Sequence, residues 1–172
     1  MPEPRGYSSL DDAIALAEFA HRNDYDLAGE PYIRHPMRVL RAVQEQGAPP
    51  YVQIGAVLHD VTEDTKYTPQ MLLDLGVLAS AVDIVKLVDR DYSEQIFCTT
   101  SEAMLCESDL RAYRDARDAF YYRQIRKNEG AKQLKLADIA DNSLTWRVVY
   151  LPERKQAALH EKYTKARKLL TE

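Results

Sequence analysis

The sequence predicts an all-α protein built as a single-domain helical bundle, on three observations. Apolar residues recur at three- and four-residue spacing along most of the chain. No useful length alternates apolar and polar residues as a strand would. Prolines and glycines fall between the periodic stretches, where helices start and stop. At 172 residues the chain fits one domain with a substantial core, predicted over 1–172.

The first helix follows Ser9, with Leu10, Ala13, Ile14, Ala17, Phe19 and Ala20 at helical spacing and its end near His21. Ser9 with Asp12 resembles the start of a capping box. Residues 23–36 contain Gly29, Pro31 and Pro36 and cannot form one helix; Pro36 suits the first position of the next, leaving His35 at its N-terminal edge. Helix two turns Val39, Leu40 and Val43 inward and stops at Gly47-Ala48-Pro49-Pro50. Helix three starts there and carries Ile54, Val57, Leu58 and Val61 on one side. Thr68-Pro69 opens a short helix through Leu75, which Gly76 ends, and another spans about 78–88. Residues 89–109 are more polar and less periodic, and are expected to be a lid or an irregular connection. A long amphipathic helix is predicted over 110–127, stopped by Asn128-Glu129-Gly130. A further helix covers 131–146, and Pro152 begins the last, ending near Leu170.

Composition narrows the function. Hydrophobic residues make up 45% and charged residues 29%, with a formal net charge of −4 and a pI near 5.6. That balance argues against a general nucleic-acid binder, so an anionic substrate must be drawn by a local site. No apolar run approaches the roughly 20 residues of a membrane span, and Met1-Pro2-Glu3-Pro4-Arg5 lacks the apolar core of a signal peptide. A cytoplasmic protein without membrane or nucleic-acid partners is expected. Cys98 and Cys106 lack the spacing of a zinc knuckle or redox pair and are read as reduced thiols without a chemical role.

The chemistry concentrates in His59-Asp60-Val61-Thr62-Glu63-Asp64. On a helix His59 lies over Glu63, and Asp60 over both Glu63 and Asp64, so one turn presents an imidazole and three carboxylates. Such crowding is costly unless a cation neutralises it or one group holds a proton, and both situations mark active sites. Two isolated residues complete a cation cage: His35 upstream, and Asp138 within Lys135-Leu136-Ala137-Asp138.

Histidine, then His-Asp, then a distant aspartate is the order of the HD phosphohydrolase superfamily. The flanking residues sharpen this. Gly29-Glu30-Pro31-Tyr32-Ile33-Arg34-His35-Pro36, Leu58 through Thr65, and Lys135 through Asn142 resemble the hydrolase domain of the RelA/SpoT family and its stand-alone relatives, the small alarmone hydrolases. These blocks fall within about 20–146. The resemblance implies a helical fold with Mn²⁺ held by His35, His59, Asp60 and Asp138, and removal of the 3′-pyrophosphate of guanosine tetra- or pentaphosphate. Two imidazoles and two carboxylates suit Mn²⁺ or Fe²⁺, and Zn²⁺ also fits by composition. Glu63 and Asp64 match the pair that handles water and protons. Asn142 matches a nucleotide-contacting asparagine one turn after Asp138. The Thr65 hydroxyl is a candidate for phosphate contact or for capping a turn. Lys66, Arg34, Lys132 and Lys135 are the cations available to offset phosphoryl charge. Tyr163 is assigned to core packing, with a looser match to a base-stacking tyrosine.

The chain departs from the pattern at Asp26, where members active on guanosine tetraphosphate commonly carry a basic residue nine positions before the first metal histidine. A carboxylate there accepts hydrogen bonds from guanine N1 and N2 donors but repels phosphate. Ile139 and Asp141 likewise replace arginine and histidine, which reduces local positive charge. No synthetase region is expected. The competing readings are an HD phosphatase for another phosphorylated nucleotide or cofactor, which Asp26 supports, and a non-catalytic nucleotide-binding regulator, which would not need Glu63 and Asp64.

Overall fold

Proline and glycine punctuation, together with side-chain caps, divides the chain into short helices stacked around one shared helix. A computed structural model describes residues 7–106 and 109–172, with the backbone alone at Cys106. The reading of the first five residues, and that of the Cys106 thiol, lie outside the described residues. Twelve helices are seen among them, and no strand; a single isolated bridge joins Tyr25 to Pro31.

Helix α1 (Leu10–Ala20) is capped by Ser9, whose side chain accepts from the Asp12 backbone N–H and bonds its carboxylate. Helix α2 (Arg34–Glu45) starts two residues before Pro36, which occupies the third helical position. Proline is tolerated there because the first four N–H groups have no intrahelical acceptor. Gly47, at φ 71°, takes the left-handed conformation that ends α2. Helix α3 (Pro50–Leu58) and α4 (Val61–Asp64) are one helical path broken at His59-Asp60, where the backbone stays helical but the hydrogen-bond ladder lapses. Helices α5 (Pro69–Asp74) and α6 (Ala79–Val88) follow the predicted pattern.

The stretch 89–109 is not a lid or an irregular connection over most of its length. It holds α7 (Arg90–Phe97) and α8 (Ser101–Cys106). Side chains start both helices: Asp89 accepts from Tyr92 N–H at 2.8 Å, and Thr100 from Ala103 N–H at 3.2 Å. Phe97, fully buried against Phe120, anchors them.

Asp109 caps α9 (Leu110–Arg126), and Asn128 caps α10 (Glu129–Asn142). Asn128-Glu129-Gly130 therefore opens a helix as well as closing one. A Cβ on Gly130 would lie 2.8 Å from Val52 Cγ2 and 2.9 Å from Ile84 Cδ1, so glycine is what lets α10 press on α3 and α6. The helix predicted over 131–146 ends at Asn142, and Trp146 belongs to a separate turn, α11 (Thr145–Val148). Helix α12 (Glu153–Thr171) closes the bundle.

Two apolar clusters meet at α3. Ile54, Val57 and Leu58 pack with α1, α5 and α6, while Val52 and Ala56 pack with α2, α6, α9, α10 and α12. This wall places the end of α3 beside the start of α2 and the middle of α10.

Candidate metal centre

His35 on α2, His59 after α3 and Asp138 on α10 are each buried, and one ligand atom from each lies within 4.8 Å of the others. Asp60 joins them: its Oδ1 is 3.2 Å from His59 Nε2, and its Oδ2 is 3.5 Å from His35 Nε2. Asp138 Oδ1 lies 3.2 Å from His35 Nε2 and 3.8 Å from His59 Nε2. The four side chains singled out in the sequence are thus neighbours: three form a compact set of ligand atoms, and Asp60 borders it with one oxygen toward each histidine.

The histidine tautomers follow from the other ring nitrogens. His59 Nδ1 is 2.8 Å from the Ala56 carbonyl, which only accepts, so Nδ1 carries the proton. His35 Nδ1 is 2.7 Å from Asp141 Oδ2, its acceptor, and 3.0 Å from Arg147 Nη1, which donates to the same carboxylate. Both Nε2 atoms are left for the cage. His59 Nε2 is fully enclosed and makes no hydrogen bond, an unsatisfied ring nitrogen of the kind that a cation takes up in place of a proton.

Without an ion, the two carboxylates hold a second proton on the His59 ring, the charge that a bound cation would replace. Burial lowers the His59 pKa, yet Asp60, and then Asp138, outweigh it and push the value up to about 9. Asp138 is also buried, but Lys135, the hydrogen bond to His35 and the charge of His59 hold its carboxyl well below the usual range. Lys135 Nζ sits 2.8 Å from Asp138 Oδ2, the one of the four predicted cations that reaches the cage. Arg34 is exposed and pairs with Glu30; Lys66 is exposed, and Lys132 faces Glu129.

Four residues around the cage were not assigned a role from sequence. Tyr32 donates its hydroxyl to Asp60 Oδ2 at 2.6 Å; burial and the Asp60 charge raise its pKa far above the ordinary value, so the proton stays on tyrosine. Asp141 was read only as a loss of positive charge. Instead it orients His35 and gathers two arginines, Arg38 at 2.6 Å and Arg147. Only the one-turn spacing of Asp138 and Asp141 could have hinted at this.

Glu63 and Asp64 lie on α4 beside the cage. Burial raises both carboxyl pKa values, and Asp60 adds to the rise at each. Glu63 Oε2 accepts from Arg90 N–H at 3.3 Å. Thr62, one residue earlier, donates to Asp89 Oδ2 at 2.7 Å and ties α4 to the cap of α7.

Asn142 donates to Asp138 Oδ1 at 2.5 Å and accepts from Arg147 at 2.9 Å. It shares a cavity of about 150 Å³ with Asp26, Arg147, Leu159 and Tyr163. Asp26 Oδ1 accepts from the Ala28 and Glu30 backbone N–H groups, so this carboxylate also shapes its own loop. Tyr163 packs on the core and lines the cavity as well. The Thr65 hydroxyl donates to the Val61 carbonyl, as a turn cap does. A larger cavity of about 390 Å³, lined by residues including Tyr7, Leu16 and Phe19, contains none of these groups.

No family model matches the chain. Over 83 residues, 47% of the chain, it is 36% identical to the GTP pyrophosphokinase of Streptomyces coelicolor, of which that stretch is 10%. It is also 36% identical over 77 residues to the guanosine-3′,5′-bis(diphosphate) 3′-pyrophosphohydrolase of Haemophilus influenzae, covering 44% of the chain and 11% of that protein. A solved structure of a metazoan SpoT ortholog that hydrolyses ppGpp superposes with a TM-score of 0.71, at 22% identity, over 94% of this chain and 85% of that one. The chain shares the fold of that structure, and over about half its length it is similar in sequence to RelA/SpoT proteins. A longer alignment covers 153 residues, 87% of the chain, at 23% identity to the probable guanosine-3′,5′-bis(diphosphate) 3′-pyrophosphohydrolase of Mycoplasma genitalium, of which it is 20%. The chain thus spans 10% to 20% of the length of these curated relatives. Among the described residues no helix is long and apolar enough to cross a membrane.

Proposed function

We propose that this protein is a divalent-metal-dependent phosphohydrolase that removes the 3′-pyrophosphate of guanosine tetra- or pentaphosphate. The observation that carries this reading is the cage itself, in which the enclosed, unpartnered His59 Nε2 faces Asp60 and Asp138. His35, His59, Asp60 and Asp138 would hold the ion, and Mn²⁺ suits their mix of nitrogen and oxygen. A bound ion there supplies Lewis acidity and lowers the pKa of a water molecule.

The chain's own groups supply the rest. Asp141 and the Ala56 carbonyl fix the two imidazoles, and Tyr32 fixes Asp60. Glu63 and Asp64 are the proton carriers: burial raises their pKa values, which makes each a better acceptor than an ordinary surface carboxylate. Asn142, beside Asp138, faces the cavity shared with Asp26 and Tyr163, where the nucleoside would sit. Thr65 closes the turn at the end of α4, its hydroxyl donating to the Val61 carbonyl. The setting is cytoplasmic.

Asp26 supports a second reading, hydrolysis of another phosphorylated nucleotide, because a carboxylate at the cavity changes which base and phosphate arrangement is accepted. One experiment separates them. Metal-loaded protein is incubated with guanosine tetraphosphate and a nucleotide panel, and released pyrophosphate and phosphate are measured. Pyrophosphate release from guanosine tetraphosphate is expected. Release only from another nucleotide transfers the assignment to that substrate, and metal-independent or absent release from all of them removes the enzymatic reading.

A further inference from the structure

His21 is a buried imidazole outside the cage. It is the C-cap of α1, and its side chain has no exposed surface. Its Nδ1 lies 3.0 Å from Asp24 Oδ2, a carboxylate whose side chain stays 45% exposed. Its Nε2 is enclosed and makes no hydrogen bond. Among the described residues, the bond to Asp24 is therefore the one polar tie of this ring. A phenyl ring would fill the same space without leaving a nitrogen unsatisfied, so what the imidazole adds is that tie.

The tie leads to the cage by way of Tyr32. The His21 and Tyr32 rings lie with centroids 4.9 Å apart at 42°, and the Tyr32 ring also meets His35 edge-on at 5.9 Å. The Asp24 carbonyl accepts from the Tyr32 backbone N–H at 2.9 Å. One residue thus holds Tyr32 by its backbone and, through its carboxylate, holds the ring packed on Tyr32. The Tyr32 hydroxyl then donates to Asp60 Oδ2 at 2.6 Å. Asp60 stands at the break between α3 and α4 and makes no side-chain bond to the start of α4. Its Oδ1 faces His59 and its Oδ2 faces His35. A carboxylate turns about a single bond, so a fixed hydroxyl on one oxygen decides which oxygen meets which imidazole.

We propose that His21 is a positioning residue for the metal centre: with Asp24 it clamps Tyr32, and through the Tyr32 hydroxyl it sets the rotation of Asp60. The proposal rests on the divalent-metal reading of the cage. Packing of the end of α1 alone would make His21 matter for folding but not, by way of Tyr32, for the ion.

The test measures the Mn²⁺ affinity of the full chain by calorimetry, with thermal unfolding in chelator as the check on folding. Tyr32→Phe removes only the hydroxyl and is expected to weaken Mn²⁺ about tenfold, the lower end for an outer partner of a metal ligand. Asp24→Ala, at a half-exposed side chain, releases the His21 ring and is expected to weaken Mn²⁺ about fivefold, as suits a residue acting through an intermediary. Asp24→Asn still offers an oxygen to Nδ1–H and should restore most of the affinity. His21→Phe keeps the ring volume and should match Asp24→Ala. In a Tyr32→Phe background neither Asp24→Ala nor His21→Phe should cost anything further, because their effect passes through the missing hydroxyl. Unchanged Mn²⁺ affinity in both single variants overturns the clamp, and so does a loss that adds in full to that of Tyr32→Phe. A wild-type chain that binds no Mn²⁺ overturns the metal reading and the clamp with it, whereas wild-type binding with unmoved variants removes the clamp alone.

Discussion

Asp141 does for His35 what the Ala56 carbonyl does for His59: each accepts from Nδ1 and leaves Nε2 facing the cage. Such outer partners typically change metal affinity about 10- to 100-fold when removed. Asp141→Asn is expected to weaken metal binding by that order, read by equilibrium titration of the ion; unchanged affinity would show that His35 is fixed by packing alone. Glu63 calls for a different measurement. Its carboxyl is raised mainly by burial, so the ionised form that accepts a proton is reached at higher pH than for a surface glutamate. Activity should therefore rise with pH along an acid limb lying above the ordinary carboxylate range of about 4.3. Glu63→Gln should lower turnover about 10²- to 10⁴-fold, remove that limb from the pH–rate profile and leave the metal bound. The same raised pKa means that ionised Glu63 opposes folding at neutral pH. Glu63→Gln should thus raise Tm in the presence of chelator, and a lowered Tm would contradict the assigned desolvation.

At the scale of elements, tight contacts and caps do the positioning. Gly130→Val places side-chain carbon where Val52 and Ile84 already lie within 3 Å of the Cβ position. It is expected to cost about 1–3 kcal/mol in chemical denaturation, because α10 carries Asp138 and cannot retreat without opening the cage. A cost near zero would show that α10 has room to shift. Helix starts written by proline or by Ser9 were legible in the sequence because their signals are local. The helices within 89–109 were not. Their starts rest on single side chains, Asp89 and Thr100, and their anchoring on one aromatic, Phe97, whose partner Phe120 belongs to another helix. Periodicity over so few turns carries little signal. The same distinction runs through the site. His59, Asp60, Glu63 and Asp64 are legible as one motif, whereas Asp141 meets His35 across 106 residues and Tyr32 meets Asp60 across 28.

For the molecule as a whole, the cage joins helices that belong to different parts of the core. An ion held there binds the folded state and has no preformed site in the unfolded chain, so it adds stability by mass action. With free metal at about 100 times its Kd the gain is about 2.7 kcal/mol. Thermal unfolding with Mn²⁺ should occur several degrees above unfolding in chelator, and coincident curves would rule out occupancy of the cage. The proposed ligands also come from distant places in the sequence, at positions 35, 59, 60 and 138. During synthesis the first three leave the ribosome long before the fourth, and the wall made by α10 arrives with Asp138. A nascent chain therefore offers an open, three-sided set of ligands until its final third has emerged. The complete set of proposed ligands exists only once α10 has docked, so an ion held as proposed would enter late in the maturation of this protein.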